Sequence, residues 1–436
     1  MFSLKAFLQH EVKPALGCTE PGAVALAVAR AAQELPHNEE ISFVRVTVSE
    51  GIYKNGMAVG IPGVKGAKGN AVAAALAMTC GQAECGLQVL KDCKPADVST
   101  ALEHLRQERV EIIRRMDGPE IYVEASLFTP HHQATCIIEQ EHAAITKVVK
   151  DGKVVFEKNA STSNKKSKGT FLSLIRALSY KQLLELVEEM DSQDVSYIWD
   201  GIRMNRAIAE YGLRQKADNG LDSGQIMQTM IAERVLKNDL GYRVRGCCSA
   251  AVSARMTGVQ MPVMSSAGSG NSGIVTILPI AMVGEKKRNT DEQIAEAIVV
   301  GHLTTSFVRA RVGRLAPICG SVVAAGSGAA AGLTYLLGGG LRQATQAVKM
   351  MLANLAGVLC DGAKATCSLK AGTTALEAYL VALFALEGQC VSNEGVVGAS
   401  IEETIDNVAR ISQQGMKDVD KVVLAVLQER ARENYT

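Results

Sequence analysis

Apolar and polar residues alternate along a series of short segments in the first part of the chain. In residues 43–48, Val44, Val46 and Val48 share one face, a period of two that predicts a half-buried strand. Five later segments have the same character: residues 110–116, 121–128, 133–139, 145–150 and 153–156. An Asp-Gly pair between the last two is typical of a tight hairpin turn. These five segments are expected to form an antiparallel sheet.

Helical periodicity surrounds these strands. Apolar residues recur at helical spacing in residues 2–13, 21–34, 70–91 and 95–108. The third of these helices is expected to break near Cys80. Residues 51–69 are expected to form a loop, because glycines punctuate them.

A polar segment without large apolar residues, 158–169, marks the best candidate for a boundary. After it only helical periodicity follows, in residues 172–190, 196–211, 222–236, 274–282, 291–308, 341–359, 373–386 and 401–413. The predicted fold class is α+β. An N-terminal α/β domain with a small antiparallel sheet, residues 1–165, is expected to precede a larger all-helical domain, residues 166–436.

Two long segments carry no charged residue, and both exceed the length that spans a bilayer: residues 256–284 and 315–341. They consist largely of glycine, alanine, serine and threonine, and Pro262 and Pro279 interrupt the first. This composition inserts poorly into a membrane. We therefore expect buried helices that pack closely through small residues, and no membrane partner.

Charge and composition exclude further classes of protein. Lysine and arginine number 46 against 45 acidic residues, and no basic stripe is present to bind nucleic acid. Eleven cysteines follow an N-terminal segment that lacks the pattern of a secretory signal. A cytoplasmic protein whose thiols are not paired in disulfides is expected, and a homo-oligomer is compatible with this composition.

Three cysteines lie in the glycine- and alanine-rich second half: Cys319, Cys360 and Cys367. The last two are close in sequence, and a helix pair that can fold back separates them from the first. Three thiolates can hold a cubane iron–sulfur cluster and leave its fourth iron without a protein ligand, so that this iron acts as a Lewis acid. Buried free cysteines are the alternative interpretation.

Residues 268–273 match the pattern G-x-G-x-x-G, but no strand–helix–strand unit surrounds them, which disfavours a dinucleotide site. Their backbone N–H groups are expected instead to begin a helix and to bind a carboxylate. Four hydroxyls would converge there: Ser265, Ser266, Ser269 and Ser272. A tight structural turn is the alternative.

Cys18 lies in a loop just before the helix predicted at residues 21–34. The positive end of that helix is expected to lower the pKa of the thiol and to favour the thiolate. Helix capping is the alternative role for Thr19 and Glu20.

Two further groups are weaker candidates. Lys54 and Asn55, in the glycine-rich loop, could orient a carboxylate or simply face solvent. Cys80, Cys85 and Cys93 have no recognised metal-site spacing and are expected to be core thiols.

Four segments in combination resemble the L-cysteine desulfidase family and, more distantly, the iron–sulfur L-serine dehydratases. They are residues 11–21 (EVKPALGCTEP), 54–57 (KNGM), 265–273 (SSAGSGNSG) and 360–363 (CDGA) with Cys367. The resemblance covers essentially the whole chain. It implies a [4Fe–4S] cluster held by Cys319, Cys360 and Cys367, and conversion of L-cysteine into pyruvate, ammonia and sulfide.

Two differences from the serine enzymes favour the cysteine branch. Those enzymes space their last two cluster cysteines more widely, and they carry Ser-Ser-His-Thr where this chain has GCTE at residues 17–20. The roles of their residues therefore do not transfer directly to Cys18.

The resulting hypothesis is a cluster-dependent β-elimination. Cys18 is expected to act as a thiolate base or as a fourth cluster ligand in the resting enzyme. The substrate carboxylate is expected to bind Lys54, Asn55, Ser266, Ser269, Gly270 and Asn271. Two alternatives stay open: L-serine or another β-substituted amino acid as the substrate, and a non-catalytic iron–sulfur redox sensor, which would need a DNA-binding module or an effector tail.

Overall fold

The structure is a computed structural model that describes residues 2–64, 66–158, 171–216 and 220–433. Its strands are β1 (Pro14–Leu16), β2 (Phe43–Ser49), β3 (Val110–Arg115), β4 (Tyr122–Phe128), β5 (Gln133–Glu139), β6 (Ile145–Lys150), β7 (Lys153–Glu157) and β8 (Pro262–Met264). Its helices are α1 (Leu4–Glu11), α2 (Thr19–Ala32), α3 (Glu50–Gly56), α4 (Asn70–Cys80), α5 (Pro95–Arg106), α6 (Phe171–Arg176), α7 (Tyr180–Leu184), α8 (Ser192–Arg214), α9 (Ser223–Ala232), α10 (Leu240–Met256), α11 (Gly270–Lys287), α12 (Asp291–Val312), α13 (Gly320–Leu336), α14 (Leu341–Leu355), α15 (Cys367–Leu386), α16 (Ile401–Arg410) and α17 (Val419–Glu433). This order confirms the predicted α+β class.

The main sheet has six strands in the order β3-β2-β4-β5-β6-β7 and is mixed. β2 pairs in parallel with β3 and antiparallel with β4. The chain between β2 and β3 contains α3, α4 and α5, which supply the long crossover that a parallel pair requires. The predicted antiparallel pairing is therefore correct for β4 to β7. It is wrong for β3, which is an edge strand and pairs in parallel with β2.

Alanine-rich helices cover one face of this sheet. Val44, Val46 and Val48 are fully buried in one core with the alanines of α2 and α4, which confirms the predicted inward face of β2. The many alanines on both helices let them pack closely on the strands. The N-terminus of α2, where Cys18 lies, is thereby fixed relative to the sheet.

A disulfide joins Cys80, at the end of α4, to Cys93. The two Cα atoms lie 5.7 Å apart because a short 3₁₀ segment, Ala83–Gln88, turns the chain back after α4. The predicted break of the helix at Cys80 is confirmed. The expectations that Cys80 and Cys93 are free core thiols, and that the thiols are unpaired, are wrong, whereas Cys85 is free and half-buried.

α13 lies at the centre of the helical part, where α11, α12, α14 and α15 pack around it. A Cβ atom at Gly328 would lie 2.4 Å from the carbonyl oxygen of Gly301 in α12, and one at Gly332 would lie 2.5 Å from that of Ala297. Glycine is needed for so close an approach of two helices. The buried helices predicted within residues 256–284 and 315–341 are confirmed as α11 and α13.

Within the described ranges, one helix is long and apolar enough to cross a membrane by length and composition, namely α15. In its most apolar stretch 44% of the residues are buried, and Ala371, Ala375 and Ala378 pack inside the helical part. Buried core helices also meet these criteria of length and composition, so α15 is weak evidence for a membrane span.

Two predicted extents differ from the structure, and one predicted boundary is not tested by it. Residues 51–69 were expected to be a loop but include most of α3. Residues 172–190 are divided into α6, α7 and the 3₁₀ segment Glu185–Glu189, because Ser179 caps α7. The predicted boundary in residues 158–169 lies almost entirely outside the described residues, so the division into domains at residue 165 stays a prediction.

Among its described residues, the part predicted to be all-helical contains one strand. β8 pairs antiparallel with β1, with Pro14 opposite Met264 and Leu16 opposite Pro262. The N–H of Ser265 extends this pairing by donating to the carbonyl oxygen of Lys13 at 2.9 Å. The pairing places the loop that follows β1 beside the loop that follows β8.

A buried charge network ties the β5–β6 turn to the helical part. Glu11 is fully buried and accepts hydrogen bonds from Arg314 at 2.8 Å and from Ser306 at 3.1 Å. His10 lies 3.0 Å from Glu11 and 3.1 Å from Glu141 in the turn. Hydrogen bonds to Glu11 and Glu141 raise the pKa of His10 to about 9, and His10 in turn lowers the pKa of Glu141 to about 2.

This network makes stability depend on pH in a defined window. Because the folded-state pKa of His10 is raised, its contribution is complete below about pH 6.5 and is lost as pH rises through about 9. We expect His10→Ala to lower the free energy of unfolding by about 2 kcal/mol at pH 6 and by much less at pH 10. Urea denaturation at both pH values measures this, with the exposed His131→Ala as control. An equal loss at both pH values would assign the effect to packing rather than charge.

Candidate functional site

A cleft opens where the loop before α2, the β5–β6 turn and the N-termini of α11, α13 and α15 meet. It encloses about 700 Å³ including its open mouth. Seven predicted site residues line it: Cys18, Asn55, Ser269, Asn271, Cys319, Cys360 and Cys367. Lys54, Ser266 and Gly270 do not form part of its lining.

Backbone hydrogen bonds hold Cys319 and Cys360 side by side. The N–H of Cys319 donates to the carbonyl oxygen of Val358 at 2.8 Å, and the N–H of Cys360 donates to that of Pro317 at 2.7 Å. Ile318 and Leu359, which immediately precede the two cysteines, form an isolated antiparallel bridge. The spacing of these two cysteines is therefore set by the main chain.

Cys367 begins α15, and its thiol donates to the carbonyl oxygen of Gly362 at 3.6 Å. Gly362 has a φ of +93°, and a Cβ atom there would lie 2.5 Å from the carbonyl oxygen of Lys54. Glycine is therefore required where this loop passes α3. The loop brings the third thiol to the same end of the cleft.

The three thiols fit a multinuclear metal group better than a single ion. Within residues 2–64, 66–158, 171–216 and 220–433, no three potential ligands converge closely enough to hold one ion. Burial first, and then the neighbouring thiols, raise the pKa of Cys319 to about 12 and that of Cys367 to about 11. Three interacting thiols in one cleft that does not form a single-ion site fit a group in which each thiolate binds its own iron.

Cys18 precedes α2 and faces these cysteines. An N–H of Arg255 donates to its sulfur at 3.6 Å, and the Cys18 thiol interacts electrostatically with Cys367. Burial raises the pKa of Cys18 to about 11 even though Arg255 opposes it. The expectation that the helix end lowers this pKa is wrong, because the thiol is almost fully removed from water.

Arg255, near the end of α10, is buried and joins two walls of the cleft. It donates to Asn271 Oδ1 at 2.8 Å and to the carbonyl oxygen of Gly17. A Cβ atom at Gly270 would lie 2.6 Å from its Nε, so the absence of a side chain at Gly270 makes room for the guanidinium. Its Nε is buried without a partner among the residues described. A guanidinium with one unused donor therefore borders the cleft.

The four serine hydroxyls do not converge as expected. Ser265 Oγ donates to the carbonyl oxygen of Lys13, and Ser266 Oγ lies 2.8 Å from His302 Nδ1. Ser269 caps α11 by accepting from the N–H of Ser272. Of this group only Ser269 lines the cleft, because the pairing of β8 with β1 turns the first two side chains elsewhere.

Asn55 and Lys54 have different surroundings although they are adjacent. Asn55 donates to Glu20 Oε1 at 2.9 Å and lies 4.0 Å from the sulfur of Cys360. Lys54 is buried and donates to Asp420 of α17 at 2.5 Å. The ammonium of Lys54 is thus paired with a carboxylate of the C-terminal helix.

Sequence reasoning missed four charged or titratable residues in the lining: Arg255, Arg309, Arg314 and His142. A signal existed for Arg255, which is the last charge before the uncharged residues 256–284. No comparable signal marked His142, since it lies in a sheet turn far from the cysteines in sequence. Burial, together with Arg314 and Arg309 and against Glu20, lowers the pKa of His142 to about 4.

Known proteins similar to this chain cover nearly its whole length. A UPF0597 protein of Kosmotoga olearia is 39% identical over 98% of this chain and 99% of that protein. A UPF0597 protein of Caldanaerobacter subterraneus is 40% identical over 97% of both chains. A third, from Clostridioides difficile, is 39% identical over 97% of this chain and 98% of its own.

The family model described as serine dehydratase alpha chain matches residues 84–425. This range contains Cys319, Cys360 and Cys367, together with Arg255 and the glycine loop at residues 268–273, but not Cys18. The match covers more than three quarters of the sequence. The chain therefore belongs to the serine dehydratase alpha chain family.

Proposed function

We propose that this protein is an iron–sulfur-dependent lyase that acts on L-cysteine in the cytoplasm. It would convert L-cysteine and water into pyruvate, ammonia and hydrogen sulfide. The observation that carries this proposal is a single cleft lined by three proposed ligand cysteines, a guanidinium and an amide. Membership of the serine dehydratase alpha chain family supports a lyase that removes a β-substituent from a small amino acid.

Cys319, Cys360 and Cys367 would hold a [4Fe–4S] cluster. When bound, such a cluster supplies an iron without a protein ligand, a Lewis acid for the β-substituent that leaves. The chain contributes the spacing of the ligands, through the backbone bonds of Cys319 and Cys360 and the turn at Gly362. Lys370 donates to the carbonyl oxygen of Leu359 at 2.7 Å and stabilises the same loop.

Arg255 and Asn271 would bind the substrate carboxylate. The unused Nε of Arg255 offers a charge-assisted hydrogen bond in a buried setting, where such bonds are strong. Ser269 and Asn55 line the same cleft and would orient the amino acid. Gly270 would support these groups by making room for Arg255, and Ser266 by belonging to the same loop. The backbone of Lys54 would support the cysteine loop, because it packs against Gly362.

The chemistry requires that the Cα–H and Cβ–S bonds of L-cysteine break. The electron pair of the Cα–H bond forms the double bond of 2-aminoacrylate while sulfide leaves with the pair of the Cβ–S bond. Water then hydrolyses the tautomer of 2-aminoacrylate to pyruvate and ammonia. Cys18, which lines the same cleft and interacts electrostatically with Cys367, keeps both of its proposed roles here, as a base or as a fourth ligand in the resting enzyme.

L-Serine is the second candidate substrate, because the family description names serine dehydratase. The two amino acids differ only in the β-substituent, hydroxyl or thiol. The residues proposed to bind the carboxylate would serve both substrates equally.

Anaerobic reconstitution tests the proposed function. The wild-type protein is expected to bind about four irons and four labile sulfides per chain. It should release sulfide and pyruvate in equal amounts from L-cysteine, with L-serine assayed in parallel. Cys360→Ser should lose iron and activity together, whereas Cys390→Ser, at an exposed thiol, should retain both. An iron-free Cys360→Ser protein with full activity would contradict the proposal.

Arg255→Lys tests the carboxylate site. Lysine keeps the positive charge but cannot reproduce the planar donors of the guanidinium. We expect KM for L-cysteine to rise about 30-fold, corresponding to about 2 kcal/mol, with iron content unchanged. Arg243→Lys, at an exposed position of the same helix, is the matched control and should match the wild type. An unchanged KM in Arg255→Lys would remove Arg255 from the carboxylate site.

A further inference from the structure

His142 has a place in the cleft that the proposed function does not yet use. It lies in the turn between β5 and β6 and is only 8% exposed. Its Nε2 is buried, and no hydrogen-bond partner is found for it within the described ranges. An unpartnered buried nitrogen is costly, so its presence beside a substrate cleft calls for a ligand or a function.

The turn that carries His142 is held firmly. The N–H of Gln140 donates to the carbonyl oxygen of Ile121, and the N–H of Ala144 donates to that of Glu141. Glu141 is also paired with His10, which contacts the buried Glu11. The position of the imidazole is therefore set by the network that joins the sheet to the helical part.

Several charged groups surround His142. Glu20 comes from α2, Arg309 from α12, Arg314 from the segment after α12, and Glu141 from the turn itself. Burial and the two guanidiniums keep the imidazole neutral, so its ring holds one nitrogen lone pair that can accept a proton. Glu20 can stabilise the imidazolium once the proton has arrived, and a substrate carboxylate bound in the cleft would add to that stabilisation.

We propose that Nε2 of His142 accepts the α-proton of the substrate amino acid. This inference rests on the proposed β-elimination. The electron pair of the Cα–H bond becomes the Cα–Cβ double bond, the leaving group departs with its own bonding pair, and the proton forms a new N–H bond on His142. With His142 as the base, the remaining role for Cys18 is that of fourth ligand. Its buried thiol is hydrogen-bonded to Arg255.

His142→Asn is the first test, because asparagine is polar and of similar size but cannot accept the proton. The reconstituted variant should keep its iron and the change in the iron spectrum on addition of L-cysteine. Sulfide release should fall at least about 100-fold. The deuterium isotope effect on kcat with α-deuterated L-cysteine should increase, which a merely structural residue would not cause. His131→Asn, exposed in the neighbouring β4–β5 turn, should behave as wild type.

Further outcomes separate this inference from the proposed function. If wild-type protein with full iron gives no spectral change and no sulfide from L-cysteine, the proposed function fails. If wild type is active and His142→Asn retains its rate within about threefold, the role of His142 is overturned while the proposed function stands. If His142→Asn loses iron, the activity of His142→Ala is measured with and without added imidazole. Restoration of its activity by added imidazole supports a proton acceptor, and no restoration overturns the role.

Discussion

The close approach of α12 and α13 is the constraint on which the site depends. Gly328 and Gly332 of α13 face the backbone of α12 at distances that no side chain would allow. α13 can therefore lie at the centre of four other helices, and its N-terminus is Cys319 and Gly320. A Cβ atom at Gly320 would lie 2.1 Å from the guanidinium carbon of Arg309 in α12, so the same helix pair also places a cation beside the first cysteine.

The second requirement is a rigid connection between the sheet and the helices, because the cleft takes residues from both. The β1–β8 pairing puts the Cys18 loop beside the glycine loop, and Arg255 then bonds to both. The Glu11 network holds the β5–β6 turn against the same region. These links are polar and directional, so they fix relative positions that apolar packing alone would leave adjustable.

Burying so many cations is unfavourable unless negative charge compensates for them. Arg314 is paired with Glu11, while Arg309 donates to the carbonyl oxygens of Gly313 and Arg314. Arg255, Arg309 and Arg314 each keep a buried Nε without a partner among the residues described. A cleft with these unused donors is suited to anions, and the proposed cluster and substrate carboxylate both carry negative charge.

The sequence by itself determined what depends on local pattern. Alternating valines gave β2, the Asp-Gly pair gave the β6–β7 hairpin, and the uncharged glycine-rich segments gave the buried helices α11 and α13, because each signal lies within a few residues. Residue type and resemblance singled out Cys319, Cys360 and Cys367, which line one cleft, and their role as cluster ligands stays a prediction. Only the tertiary structure decided the parallel partner of β2, the three-residue pairing of β1 with β8 and the disulfide at Cys93. It also decided the raised pKa of Cys18 and the arrival of His142 in the cleft, because burial and long-range contacts, which no local pattern encodes, govern both.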